Sequence, residues 1–432
     1  MELIICFILF VLLLFGGLWI PFALGTTSLV FLILKLGTPV LKGIGFVAWS
    51  SMDSFTLTAI PLFILISEVL LRSGVGNRVY RGFSVLVRPV PGGLLQTNIA
   101  GSAVFAAVSG SSVATAAAIG TVAMPKLQEF GYSDRVSTGS LAAGGTLGIL
   151  IPPSIAFIVY GSFTDTSISK LFAAGMIPGL VLAALFMLWI GISAVIWPSI
   201  CPKKGAETHE PVNLLQLGAD ILPFGILIVG VLGGIYAGIV TPTEAAALGS
   251  GLAIIIGVTI GNLTFRGFVE CLHATIAATG NVMFIVLCAF LFAYAAGITG
   301  IPQNLSATLI DMGLTSGQFL IAVIILFLVL GMFMESFGIM VITVPLLLPL
   351  IQSYGFDPLW FGVLIVILIE VGMITPPFGI NLFVLQGIRT RGGLEDVIIG
   401  VIPFCAIMLL MVGLLTAFPE LATWLPSIMV GR

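Results

Sequence analysis

Apolar runs close to 20 residues long recur from one end of this chain to the other, and about 20 apolar residues in a helix cross a hydrocarbon core of about 30 Å. They cover residues 2–20, 22–36, 55–71, 136–162, 171–198, 218–238, 243–262, 269–297, 357–385 and 397–418. Of 432 residues, 59% are hydrophobic and 8% charged, whereas soluble domains carry about 25% charged residues. A soluble fold of this composition could not cover itself with polar surface. The bilayer is therefore the solvent for most of the chain, and the expected fold is an all-α polytopic membrane protein with about ten full spans. A net charge of −3 is too small to imply a nucleic-acid partner. The five cysteines, Cys6, Cys201, Cys271, Cys288 and Cys405, show no paired spacing, so neither a disulfide framework nor a metal site is expected of them. The start, MELIICFILFVLLLFGGLWI, has no basic stretch and no small-residue cleavage site, and is expected to be a retained first span rather than a signal peptide.

Glycine, at 52 residues, and proline, at 23, fall inside the apolar runs. Broken backbone at membrane depth is tolerated only where protein or a water-filled cavity satisfies the freed groups, so the breaks point to a site. Two stretches, about 92–130 and 316–352, have small or charged residues at their centres and read as re-entrant helical hairpins. Residues 73–90, with Arg78, Arg81 and Arg88, read as an interfacial amphipathic helix. The polar stretch 201–217 divides the chain into halves. The expected organisation is scaffold helices and an amphipathic arm over 1–91, a first transport repeat over 92–200, a cytoplasmic linker over 201–217, further scaffold helices over 218–315 and a second transport repeat over 316–432.

Basic residues set the orientation. With the N-terminus outside and each hairpin returning to its own side, Arg72, Arg78, Arg81, Arg88, Lys126, Arg135, Lys203, Lys204, Arg266, Arg389 and Arg391 fall inside. Only Lys35, Lys42, Lys170 and Arg432 fall outside. The same arrangement exposes an internal repeat. The two Pro-Pro pairs, Pro152-Pro153 and Pro376-Pro377, lie 224 residues apart, and at that offset Gly148 matches Gly372, Pro125 matches Pro349 and Ser112 matches Ser336. Each half therefore runs in one order: a hairpin with Ser near its tip, then a span broken at G-x-x-x-P-P. The first hairpin enters from inside and the second from outside, which is the inverted-topology repeat common in secondary transporters.

The first tip is Ser109-Gly110-Ser111-Ser112. Arms of about 15 residues reach about 22 Å at 1.5 Å per residue, which leaves the tip near mid-membrane. Hydroxyls and freed carbonyls there are hard oxygen donors, and the helix that follows points its positive end at them. That suits a sodium ion beside an anionic group; the alternative is that Ser and Gly only permit close helix packing. The facing break runs Gly144-Gly145-Thr146-Leu147-Gly148-Ile149-Leu150-Ile151-Pro152-Pro153, where two prolines free several carbonyls. The second half repeats the device with Glu335-Ser336 at its tip and Glu370 ahead of Gly372-Met373-Ile374-Thr375-Pro376-Pro377. Glu335 and Glu370 are ionisable groups at membrane depth, where such groups are functional candidates, or else paired structural carboxylates.

Three other polar residues have plainer readings. Glu244, in Thr241-Pro242-Thr243-Glu244, is placed to cap a helix. Glu68 is spaced to pair with Arg72, and His273 is a lone histidine expected to be packed and hydrogen-bonded. No Gly-Lys pair exists, hence no Walker A loop, so accumulation would draw on an ion gradient.

The runs GSAVFAAVSGSSVATAAAIGTVAMPKLQEFGY, STGSLAAGGTLGILIPPSIAFIVYG, KLFAAGMIPGL, GIVTPTEAAALGS, GMFMESFGIMVITVPLLLPL and EVGMITPPFGINLFV closely resemble the large membrane (M, DctM-type) subunit of tripartite ATP-independent periplasmic (TRAP) transporters. The resemblance covers essentially the whole chain. It implies a sodium-driven elevator of the ion-transporter type in the bacterial inner membrane. It also implies two partners, a small four-helix membrane subunit (Q-type), expected here as a separate chain, and a periplasmic substrate-binding protein (P-type). The implied cargo is a small organic anion: a C4-dicarboxylate, a sugar acid or a similar carboxylate or sulfonate. By motif position, the resemblance assigns sodium to Ser109, Gly148, Ile151 and Pro153, and to Glu335, Gly372 and Thr375. Substrate is expected against Ser111, Ser112, Gly145, Thr146 and Ser336, where an organic anion would rest on helix N-termini, hydroxyls and bound cations. Relatives often carry Asp at the Glu335 position. The runner-up reading is a stand-alone anion/cation symporter without a binding protein; a passive channel, which cannot accumulate, is a further class.

Overall fold

The computed structural model describes residues 2–202, 213–389 and 391–429. Lys203, Lys204, Arg432 and most of the expected linker 201–217 lie outside the described residues. Among the described residues there is no strand.

The first half opens with α1 (Glu2–Phe15), α2 (Ile20–Leu36), α3 (Leu41–Met52) and α4 (Ala59–Arg72). Next come α5 (Val75–Leu86), α6 (Leu94–Ser109), α7 (Ser112–Phe130), α8 (Asp134–Leu150), α9 (Ile155–Thr164) and α10 (Ile168–Ile196). The second half opens with α11 (Leu214–Ile228), which continues through a π-helical turn, Val229–Gly233, to Tyr236. It continues with α12 (Pro242–Thr259), α13 (Phe265–Ile298), α14 (Ile301–Asp311), α15 (Ser316–Phe333) and α16 (Ser336–Ser353). It ends with α17 (Pro358–Met373), α18 (Ile380–Ile388), α19 (Leu394–Ala417) and α20 (Glu420–Met429).

Among the described residues, seven helices are long and apolar enough to cross a bilayer, or nine if each bent pair is one span. The seven include both arms of the second hairpin, α15 and α16, at 18 residues each. α2 and α17, at 17 and 16 residues, are shorter apolar helices. α4 and α5 meet at 73°, so α5 leaves the span direction as an interfacial arm should. It buries Val75, Val79 and Tyr80 and leaves Arg81 exposed.

The repeat offset of 224 residues carries α6, α7, α8, α9 and α10 onto α15, α16, α17, α18 and α19, each within two to three residues at its ends. The halves differ upstream. The break at residues 53–58 separates α3 from α4 in the first half, whereas the corresponding stretch of the second half lies inside the unbroken 34-residue α13. The halves also interlock: α7 packs on α18, and α16 packs on α9. α8 crosses α19 where a Cβ on Gly139 would stand 2.1 Å from the Gly400 carbonyl oxygen, and one on Gly400 would stand 1.9 Å from the Arg135 carbonyl oxygen. Only glycine lets two backbones approach so closely.

Ion pairs gather at one end of the bundle. Arg135 Nε lies 2.9 Å from Asp396, Arg391 Nε lies 3.4 Å from Asp134, and the enclosed Arg389 guanidinium lies 3.8 Å from Asp134 and 3.7 Å from Asp396. Arg81 grips Asp220 of α11 through two bonds of 2.7 and 2.6 Å, and Arg72 bridges Glu68 and Glu270. These are residues that charge bias assigns to the inside.

Candidate functional site

The first hairpin closes on its own broken helix. α6 ends at Ser109, Gly110 turns the chain with φ 59°, and Ser111 caps α7 by accepting from Ala114 N at 3.4 Å. The Ser109 hydroxyl donates to the Ser111 carbonyl at 3.1 Å. A Cβ on Gly110 would lie 3.3 Å from the Pro153 carbonyl oxygen, and one on Gly148 would lie 2.6 Å from both the Ser111 carbonyl oxygen and the Thr115 hydroxyl. The tip therefore touches the break at Pro153 and at Gly148. The Ser112 hydroxyl reaches the Gly145 carbonyl at 3.0 Å. Ile151 ends α8 in extended conformation, and residues 151–154 are all buried. Thr146, expected near substrate, donates its hydroxyl to Ala143 of its own helix at 2.6 Å.

The second hairpin repeats this with different packing. Glu335 is the N-cap residue of α16, half-buried, and Ser336 beside it is buried. α15 crosses α17 at Gly331 and Gly372, where a Cβ on Gly372 would stand 2.4 Å from Gly331 Cα. Near the tip, the Phe333 ring lies 5.5 Å from that of Phe378. Thr375 donates its hydroxyl to Val371 O at 2.5 Å and lies 3.8 Å from Cys405 Sγ. Both Pro-Pro bonds are cis. Unlike the first break, residues 375 and 376 are only half-buried and Pro377 and Phe378 are exposed.

One contact joins the halves at this level. Glu370, buried in α17, accepts from the Ser112 hydroxyl, and its second oxygen, Oε1, is buried without a partner. Sequence reasoning singled out both residues but not their meeting. Periodicity within a helix gives no information about a partner 258 residues away.

The other singled-out residues resolve simply. Glu244 and Thr241 form a reciprocal capping box, with Glu244 Oε2 accepting from Thr241 N at 2.8 Å. Glu68 pairs with Arg72 at 3.0 Å. His273 is exposed on α13 rather than packed, because it falls on the face of that helix turned away from the bundle. Among the described residues, Cys201, Cys271, Cys288 and Cys405 form no disulfide. A cavity of about 670 Å³, lined by hydroxyls such as Ser50, Ser54, Ser162 and Thr241 together with Asp165, opens between the α3–α4 connection, the α9–α10 turn and the start of α12.

The donor set at the tips fits a hard monovalent cation. Carbonyls of an interrupted backbone and serine or threonine hydroxyls are the ligands that transporter breaks offer to sodium. The Thr115 hydroxyl against Gly148 is buried without a partner, which leaves an oxygen free beside the first tip.

Comparison with known proteins agrees with this architecture. The family model "Tripartite ATP-independent periplasmic transporter, DctM component" matches residues 7–421. The C4-dicarboxylate TRAP transporter large permease protein DctM of Rhodobacter capsulatus is 35% identical, over 99% of this chain and 100% of its own. The sialic acid TRAP transporter large permease protein SiaM of Vibrio cholerae is 32% identical over 97% of both chains. Among solved structures, the Alcanivorax borkumensis YdaH transporter shares the fold with a TM-score of 0.65 at 13% identity, covering 93% of this chain and 97% of that one. This chain belongs to the DctM family of tripartite ATP-independent periplasmic transporters, and is a multi-pass transport permease rather than an enzyme.

Proposed function

We propose that this permease carries out sodium-coupled uptake of a small organic anion across the bacterial inner membrane by an elevator motion. In this reading it takes substrate from a periplasmic binding protein and works beside a small four-helix subunit. The observation that carries the reading is the pairing of each hairpin tip with its own proline-broken helix, by Gly110 on Pro153 and by Gly331 on Gly372. The relatives' names, for C4-dicarboxylate and for sialic acid, support a carboxylate cargo. In this reading the N-terminus lies on the periplasmic side, which the charge bias supports by assigning Arg81 and Arg135, paired with Asp220 and Asp396, to the cytoplasmic edge.

The chain's own residues perform three tasks. The N-termini of α7 and α16 turn the positive ends of their helix dipoles toward the tips and favour negative charge there. Ser109, Gly148, Ile151 and Pro153 on one side, and Glu335, Gly372 and Thr375 on the other, would hold sodium. Bound sodium supplies positive charge beside the cargo's carboxylate. Ser111, Ser112, Gly145 and Ser336 are left to meet the cargo itself. The hydroxyl-lined cavity beside α9 and α12 separates the expected scaffold from the expected moving helices, so sliding there exchanges protein contacts for water.

The complex, reconstituted in proteoliposomes with its binding protein, tests the reading with labelled succinate and sialic acid as probes. Uptake is expected only under an inward sodium gradient. Equal uptake with potassium replacing sodium on both sides would sink the coupling.

A further inference from the structure

Glu370 sits in the most apolar part of α17, among the fully buried Ile365–Ile369 and Val371. Among the described residues no charged side chain acts on it, and its one polar partner is Ser112. The helices packed against α17 explain why. α15, α16 and α18 carry no titratable residue, and those of α8, α10 and α19 near the chain's water-facing ends are Asp134, Arg135, Lys170, Glu395 and Asp396. Tyr160 of α9 is spent on the Pro358 carbonyl at the far end of α17, Cys405 of α19 lies against Thr375, and Glu420 of α20 is exposed.

Ser112 is the first residue of α7, and its hydroxyl touches two different broken helices. It lies 3.0 Å from the Gly145 carbonyl of α8 and also meets the Glu370 carboxyl of α17. Three elements from two repeats thus converge on one side-chain oxygen. Repeat symmetry does not account for this. At the 224-residue offset Ser336 corresponds to Ser112 and Thr146 to Glu370, so symmetry would give a second contact between Ser336 and Thr146. Thr146 instead bonds back to Ala143, and the clasp exists once. A buried carboxyl placed where the duplicate has a threonine, gripping the neighbouring repeat's hairpin, is a departure that packing alone does not require.

We propose that Glu370 is a positioning residue: by clasping Ser112 it holds the first hairpin tip in register with the second broken helix, so that the two repeats' sites move as one unit. The proposal rests on the reading of the first tip as part of the transport site. A hydrogen bond between two-state elements carries coupling of this kind when both sites bias it. Glutamine has the same shape and keeps a carbonyl acceptor and an amide donor for the Ser112 hydroxyl. Alanine leaves nothing.

Two measurements test it. In proteoliposomes with binding protein and succinate as probe, Glu370→Ala should lower the maximal rate about tenfold, a loss within the usual range for a coupling contact. The half-saturating concentration should stay within about twofold, as expected for an interaction that does not bind cargo directly. Glu370→Gln should recover most of the rate. Ser112→Ala combined with Glu370→Ala should be no worse than the weaker single variant. Separately, Ser111→Cys, in a background with the five native cysteines replaced by alanine, should react faster with N-ethylmaleimide in Glu370→Ala than in Glu370→Gln or the parent. The labelling is done on the purified complex without cargo or sodium, so it still judges the clasp if uptake of every probe fails. Glutamine as inactive as alanine at equal folded yield overturns the proposal. So do additive losses in the double variant, or equal labelling in all three.

Discussion

The two breaks share one motif and meet two environments. Around Pro152-Pro153 every residue from 151 to 161 is buried, whereas around Pro376-Pro377 the chain is half-open and Phe378 is 54% exposed. The difference lies in the helix that covers each break. α10 brings Gly175 and Gly179 against the first one: a Cβ on Gly175 would lie 2.5 Å from the Phe157 ring and 2.7 Å from the Leu150 carbonyl oxygen, and one on Gly179 would lie 2.7 Å from Ile151. At the repeat offset α19 has Ile399 and Pro403 instead, and Ile399 is 45% exposed. Small residues let helices approach in lipid; branched and cyclic ones hold them apart. Duplicated chemistry has been set in one closed and one open shell.

The largest effect that could break this contrast is a difference in reactivity. In a cysteine-free background, Phe378→Cys should react readily with N-ethylmaleimide in the detergent-purified complex, whereas Ser154→Cys should stay unreacted until the protein unfolds. Equal rates would mean that the first break opens as freely as the second. A smaller effect concerns the covering helices. Gly175→Leu should destabilise the purified complex by about 3 kcal/mol, the upper end of ordinary overpacking. Ile399→Leu should fall within about 0.5 kcal/mol, as surface changes do. Thermal denaturation of both variants checks the pair. The smallest concerns the hydroxyls. Ser109→Ala and Thr375→Ala should each cost about 1 kcal/mol of stability. The uptake loss should be greater for Ser109, whose hydroxyl lies inside the closed shell, and equal losses measured with succinate would argue that both breaks serve cargo alike.

Much of this architecture is legible in the sequence. Hairpins, breaks and the amphipathic arm each follow from local signals: glycine and serine at a tip, paired prolines at membrane depth, arginines on one face of residues 73–90. The offset between the Pro-Pro pairs matches hairpin to hairpin and break to break in the two halves. What stayed hidden depends on which faces meet. The Ser112–Glu370 clasp joins residues far apart in sequence, and the exposure of His273 depends on how α13 is rotated against α2 and α4. The break between α3 and α4, absent from α13, was likewise invisible to the repeat, since a matched offset records what the halves share and not where they diverge.

The glycine crossing of α8 and α19 has a consequence for how the protein is made. The Arg135–Asp396 pair beside it spans 261 residues of chain. At synthesis rates of roughly 5–20 residues per second, the first repeat waits roughly 13–50 s in the membrane before its partner backbone emerges. Translation order alone thus makes the seam on α8 available before the backbone that fills it exists.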